Sequence, residues 1–199
     1  MSEPAIIHLI DDDAGFLQSM SSLLQACHFT VRTYSSPVRF FEEFDPRQPG
    51  CLIVDLIMEE MNGLALQRLL QNQHGGVPII FLSGRAEVPD CAEAMKSGAV
   101  DFLLKPCGRD ALVQAIHRAL EKDQALQAKR LQMLQKRSLL QSLTPRERSI
   151  LDLVMNGALN KEIADQLGIA ERTVKFHRGH LMRKLGAHSG MDLMRIMNV

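Results

Sequence analysis

The chain reads as an α/β protein in which a five-stranded parallel sheet is followed by a long helical linker and a small all-α helix-turn-helix domain. Three observations lead there. Between residues 5 and 104, five short apolar runs alternate with amphipathic helical stretches, the pattern of a parallel sheet covered on both faces. From Arg109 to Thr144 there is no Gly or Pro, and Ala111–Gln141 is rich in good helix formers. After Thr144 four short helices fit, the middle two joined by the tight turn Gly168-Ile169-Ala170.

The first strand is expected over Ala5–Ile10, running into Asp11-Asp12-Asp13. Asp13 caps a helix whose inward face carries Phe16, Met20, Leu23 and Leu24. Phe29–Tyr34 is the second strand, and Ser36-Pro37 opens a helix with a cap and a proline at its first position. Cys51-Leu52-Ile53-Val54 reads as a fully buried third strand ending on Asp55, with a helix from about Gly63 to Gln73 after the loop. Val77–Leu82 is the fourth strand, and a helix through Ala92–Lys96 ends at Gly98. Val100–Leu104 is the fifth, ending at Lys105-Pro106. The next helix starts near Gly108 and prolongs into the linker. A coiled-coil seam along it is poor: one register gives Leu120, Gln124, Gln127, Leu131, Leu134 and Ser138. Thr144-Pro145-Arg146-Glu147 forms a capping box, and helices are expected at about 145–155, 160–167, 171–185 and 190–198. The expected domains are residues 1–121, a linker 122–142, and residues 143–199.

Apolar residues are 46% and charged residues 23% of the 199, the balance of a soluble globular protein. No apolar run is long enough to span a membrane, and the first strand begins too early for a signal peptide. Cys27, Cys51, Cys91 and Cys107 form no metal or redox spacing, so reduced, mostly buried cysteines in a cytoplasmic protein are expected. The net charge of zero hides an asymmetry. Residues 1–122 hold 16 acidic against 10 basic side chains, a net of −6; residues 123–199 hold 7 against 13, a net of +6. An acidic half joined to a basic half fits a regulatory unit attached to one that meets a polyanion.

In a parallel sheet, ligands gather beyond the carboxyl ends of the strands. Asp11, Asp12, Asp55, Ser83 and Lys105 would all lie there, at the ends of strands one, three, four and five. Three carboxylates together repel one another unless a cation neutralises them. Hard oxygen ligands without clustered His or Cys favour Mg²⁺ over zinc. A lysine and a hydroxyl at the same point can hold phosphoryl oxygens, and one carboxylate can become an aspartyl phosphate.

Residues 5–120 resemble the receiver domain of bacterial two-component response regulators. The resemblance is carried by Leu9-Ile10-Asp11-Asp12, Val54-Asp55, Met61-Asn62-Gly63, Ser83-Gly84 and Lys105-Pro106, in order. It implies a flavodoxin-like strand order 2-1-3-4-5, with Asp55 as phosphoacceptor. Asp11 and Asp12 would organise Mg²⁺ together with Asp55 and the main-chain carbonyl of Ile57. Ser83 and Lys105 would bind the phosphoryl group, and a shift at Ser83 would couple to Phe102. The family loop usually reads Asp-x-x-Met-Pro; this chain has Glu59 where the proline is expected. Ile57 and Arg85 are expected to flank the phosphorus where water would attack.

On the 171–185 helix, Val174, His177, Leu181 and Leu185 share a buried face, so His177 is expected to be a packed histidine. Arg172, Phe176, Gly179 and Arg183 lie opposite, with Lys175 beside them, a basic stripe of the kind a major-groove helix presents. Residues 143–199 resemble the LuxR-type output domain, through Leu143-Thr144-Pro145-Arg146-Glu147, Asn160-Lys161-Glu162-Ile163-Ala164 and Thr173-Val174-Lys175 with His177, Leu181 and Lys184-Leu185. By that likeness Lys175, Phe176 and Gly179 face bases, while Asn160, Lys161, Arg172 and Thr173 meet phosphates.

Receiver, linker and output together resemble the FixJ-like branch of response regulators. The implied function is a DNA-binding transcriptional regulator rather than an enzyme, limited to Mg²⁺-dependent self-phosphorylation and slow autodephosphorylation. A sensor histidine kinase would supply phosphate, phosphorylation would promote a homodimer on double-stranded promoter DNA, and RNA polymerase is a candidate contact; no membrane partner is expected. Rival classes fit less well. A haloacid-dehalogenase-like phosphohydrolase needs a carboxylate two residues after the nucleophile, where Ile57 stands. A nucleotide-binding protein needs a Gly-rich turn after the first strand, where three aspartates stand. A pure interaction module leaves the basic helix-turn-helix without a purpose.

Overall fold

The computed structural model describes residues 4–74, 76–85 and 87–197. It divides into two compact units, Met1–Gln127 and Ala128–Val199.

The first unit alternates strand and helix. In order come β1 (Ile6–Ile10), α1 (Ala14–Ala26), β2 (Thr30–Tyr34), α2 (Pro37–Glu43), β3 (Gly50–Val54), α3 (Gly63–His74), β4 (Ile79–Ser83), α4 (Val88–Lys96) and β5 (Asp101–Leu104). The sheet is parallel throughout, in the order β2-β1-β3-β4-β5. Registers align Ile10 with both Tyr34 and Val54, so β1 and β3 end level with one another.

Every residue of β1, β3 and β4 is buried, which explains the unbroken apolar runs. Period-two alternation sends Leu52 and Val54 to one face, against Phe40, Leu66, Leu70 and Ala94 of α2, α3 and α4. Cys51 and Ile53 go to the other, against Leu17 and Leu24 of α1 and Leu112, Ala115, Ile116 and Ala119. Those last four belong to α5 (Arg109–Gln141), one continuous helix that begins in the first unit and ends in the second. Contacts along its middle include buried Asp123, which accepts from the Gly50 amide at 3.0 Å, Lys122, which donates to the Gly98 carbonyl at 2.7 Å, and Gln127, which donates to the Pro46 carbonyl at 3.4 Å. Gly50 has no room for a side chain, since a Cβ there would sit 2.0 Å from the Ile6 carbonyl oxygen.

The second unit packs the end of α5 with α6 (Pro145–Met155), α7 (Asn160–Leu167), α8 (Glu171–Leu185) and α9 (Gly190–Met197). Ile150, Leu151, Ile163, Val174, Leu181, Leu185 and Leu193 form its core, with Leu139 and Leu140 of α5 against them. The capping box at Thr144 is present in both directions. Glu147 also meets Lys184 Nζ at 2.7 Å, which ties α6 to α8 and, through that hydrogen bond first, lowers its carboxyl pKa to about 2. Gly168 closes α7 in the left-handed conformation at φ 62°, the geometry that turns the chain into α8.

Element bounds differ from the sequence expectations by a residue or two at most ends. The largest shift is α4, which begins at Val88, four residues before the stretch read from sequence, because Pro89 fits a first helical turn. The last expected helical residue, Asn198, lies outside the described residues. The expected inward face of α1 is present: Leu24 is in the core and Phe16, Met20 and Leu23 pack against it partly buried, with Leu17 as a further buried residue. Two packing expectations are corrected. Of the four thiols, all free, Cys51 alone is buried; Cys27, Cys91 and Cys107 are half-buried. His177 is half-buried rather than in the core, since it sits at the margin of the face that Val174 and Leu181 fill. Among the described residues, no helix is long and apolar enough to cross a membrane.

Candidate phosphoacceptor site and nucleic-acid interface

The carboxyl ends of β1 and β3 bring Asp11, Asp12 and Asp55 together, each offering an oxygen within 4.8 Å of the others. Asp11 is buried, Asp55 half-buried and Asp12 exposed. Lys105, one residue past β5, reaches across with Nζ 2.5 Å from Asp11 Oδ2 and 2.9 Å from Asp55 Oδ2. Burial works against the charge on both Asp11 and Lys105. For Asp11 it wins, raising the carboxyl pKa despite the hydrogen bond from Lys105. For Lys105 it loses to the hydrogen bonds with Asp11 and Asp55, and the ammonium pKa rises. The ammonium thus offsets part of a charge excess that a divalent cation could complete. Three hard carboxylate oxygens open to solvent on the Asp12 side suit such an ion.

The surrounding loops are built to hold this geometry. Asp13 caps α1 by accepting from the Phe16 amide, while its own amide donates to Asp11 Oδ1 at 3.0 Å. Gly63 is required where the chain folds back on β3: a Cβ there would meet the Asp55 carbonyl oxygen at 2.6 Å. Asn62 starts α3 by accepting from the Leu64 amide at 2.7 Å. Asp55, Ile57, Ser83, Gly84 and Arg85 line one open cavity of about 370 Å³. Ile57 is 58% exposed there, and its amide donates to Asp55 Oδ1 at 3.3 Å. Ser83 is buried, its hydroxyl directed to the Arg85 carbonyl at 2.5 Å. In the β4–β5 register Phe102 pairs with Phe81, its ring stacked on that of Phe81 with centroids 5.8 Å apart, while Ser83 pairs with Leu104.

Two features here escaped sequence reasoning. The Phe16 ring centre lies 3.9 Å from Lys105 Nζ, a cation–π contact that only the meeting of α1 with the end of β5 creates. The Glu59 amide donates to Asp12 Oδ2 at 3.2 Å. Its signal was present in the sequence as the missing proline, because a proline has no N–H to give.

In the second unit, Arg172, Lys175, Phe176, Gly179 and Arg183 are all exposed on α8, and Thr173 is half-buried. Lys175 is paired with Glu171 one turn earlier at 2.9 Å. Lys161 is exposed on α7, whereas Asn160 is half-buried and accepts from Arg178 at 2.9 Å. The stripe expected from sequence therefore exists as one accessible basic face.

The two units match two known domain families: the response regulator receiver domain over residues 7–117, and the luxR family of bacterial regulatory proteins over residues 141–197. The chain belongs to the two-component response regulators. Among the relatives of this response regulator, the protein TodT of Pseudomonas putida is 40% identical over 199 residues, covering 98% of this chain and 87% of TodT. The solved structure of the response regulator StyR superposes with a TM-score of 0.84 at 36% identity, covering 98% and 99% of the two chains. Full-length FixJ from B. japonicum gives a TM-score of 0.59 at 30% identity, covering 100% of this chain and 97% of FixJ. This response regulator is thus a FixJ-like transcriptional regulator with a receiver and a LuxR-type DNA-binding domain. A receiver implies a histidine kinase as partner, the other domain implies DNA, and phosphorylation is the general switch of receivers.

Proposed function

We propose that Asp55 is the phosphoacceptor, and that its phosphorylation controls promoter binding through α8. The observation that carries this is the convergence of Asp11, Asp12 and Asp55 with Lys105 at the ends of β1, β3 and β5. A carboxylate oxygen of Asp55 attacks phosphorus; the P–N bond to the kinase histidine breaks as the new P–O bond forms. Lys105, already at Asp55, holds a phosphoryl oxygen, and Ser83 donates to another once its hydroxyl leaves the Arg85 carbonyl. Phe102 is the switch aromatic that follows Ser83. Mg²⁺ fits the Asp11, Asp12 and Asp55 oxygens, with the Ile57 carbonyl as a further ligand, and when bound supplies charge neutralisation of the transferring group.

In the output domain, Lys175, Phe176 and Gly179 face bases, Asn160, Lys161, Arg172 and Thr173 meet phosphates, and Arg183 adds to the same DNA-binding face. The stretch 122–142 serves as the helical linker between residues 1–121 and 143–199. The protein acts in the cytoplasm as a homodimer on paired half-sites, with RNA polymerase as a candidate contact. Beyond slow self-phosphorylation and autodephosphorylation it catalyses no reaction.

The test is promoter affinity with and without acetyl phosphate or beryllofluoride in the presence of Mg²⁺. Phosphorylation should tighten binding, and Asp55→Asn should abolish the response. Equal affinity in both states would overturn the switch while leaving DNA binding intact.

A further inference from the structure

The one phenylalanine of residues 128–199 stands in the middle of the basic face of α8. Phe176 is 62% exposed on α8, on the side opposite Val174, Leu181 and Leu185. Such exposure of a large apolar ring is unfavourable in water, so its burial against a partner is a source of binding free energy. The flanking side chains say what kind of partner. Arg172, Lys175 and Arg183 are exposed on the same face, in a half of the chain with a net charge of +6. Lys175 has Glu171 beside it, but an apolar protein surface would desolvate Arg172 and Arg183 without compensation, whereas a nucleic-acid groove supplies phosphates for them.

The ring is also held in place. Its centroid lies 4.5 Å from that of His180 one turn on and 5.6 Å from that of His177. Gly179, three residues on, presents no side chain on that face, and an added Cβ there would meet nothing within 4 Å. The helix can approach a groove floor closely there.

A phenyl ring has no donor or acceptor. Set against the N7, O6, N6 or N4 atoms of a base edge, it displaces water and leaves those groups unpaired. The major groove exposes a single apolar group, the C5-methyl of thymine. We infer that Phe176 is a specificity-determining residue that selects thymine by packing its ring on that methyl group. This rests on the reading that α8 enters the major groove, and it adds to that reading the base chosen and the atom recognised.

The test uses the intact chain and a duplex recovered by selection from randomised DNA. Each thymine of that duplex is replaced singly by deoxyuridine, which removes the methyl and keeps every hydrogen-bonding group. Wild type should bind about fourfold more weakly at one or two positions per half-site, the value of one buried carbon. Phe176→Ala should bind the thymine duplex more weakly and show no further loss with deoxyuridine at those positions. The exposed position lets the variant fold, and the DNA substitution leaves the protein untouched. Wild-type affinity indifferent to every deoxyuridine would overturn the inference, as would an undiminished deoxyuridine effect in Phe176→Ala. Failure of the underlying reading looks different: no duplex is enriched and salt-sensitive DNA binding is lost altogether, and the inference falls with it.

Discussion

The main-chain N–H of Glu59 donates to Oδ2 of Asp12 at 3.2 Å, joining the loop after β3 to the loop after β1. Receivers of the pattern this chain resembles carry proline at that position and have no such donor. Asp12 is the exposed member of the carboxylate trio, and this hydrogen bond restrains its side chain. The hydrogen bond orients it toward Asp11 and Asp55 before a cation arrives. Glu59→Pro should therefore weaken Mg²⁺ binding by about fivefold, or about 1 kcal/mol, the worth of one hydrogen bond. Glu59→Ala keeps the N–H and should stay close to wild type. Calorimetric titration of the unphosphorylated proteins with Mg²⁺ decides it. Equal weakening in both variants would assign the effect to the Glu59 side chain instead.

Ile57 occupies the mouth of the cavity beside Asp55, 58% exposed and unable to hydrogen-bond a water through its side chain. Arg85 lines the same cavity and can pair with a phosphoryl oxygen without acting as a base. A slowly hydrolysed acyl phosphate is expected. Ile57→Asn should shorten its lifetime by about tenfold, some 1.4 kcal/mol of barrier. Phosphate release from phosphorylated wild type and variant, with no kinase present, measures this. An unchanged lifetime would mean that Ile57 does not screen the phosphorus.

His8 is buried in the middle of β1, with Nδ1 3.1 Å from the Tyr34 hydroxyl and its ring against Phe40 and Phe44. Burial first, and Arg32 second, lower its pKa from 6.5 to about 4. The unfolded chain thus binds a proton between pH 6.5 and 4 that the folded chain refuses. Stability from this group is complete above pH 6.5 and falls as the pH drops toward 4, by about 2 kcal/mol at pH 5. Tyr34 is the chain's one tyrosine and there is no tryptophan, so tyrosine fluorescence follows the first unit alone. Urea unfolding read this way at pH 7.5 and pH 5 should show the loss in wild type. His8→Leu should show a smaller difference between the two pH values, and an identical difference would remove His8 as the cause.

By itself the sequence determined the elements and the chemical types at their ends. Unbroken apolar runs such as Cys51–Val54 announce strands buried on both faces, because a parallel sheet covered by helices leaves no solvent side. Thr144 with Glu147, and Gly168 after Leu167, mark helix ends through hydrogen bonds that are local in sequence. The basic stripe of α8 follows from helical periodicity alone, and it is exposed as that periodicity requires. What tertiary structure alone decided is which groups touch across large sequence separations. Lys105 reaches two carboxylates 94 and 50 residues away, Phe16 lies against that same ammonium, and Asp123 holds the start of β3 from α5. Local patterns carry periodicity and capping, which act within a few residues. Packing distances and pKa shifts depend on the meeting of distant segments, and only the folded sheet and helices bring those together.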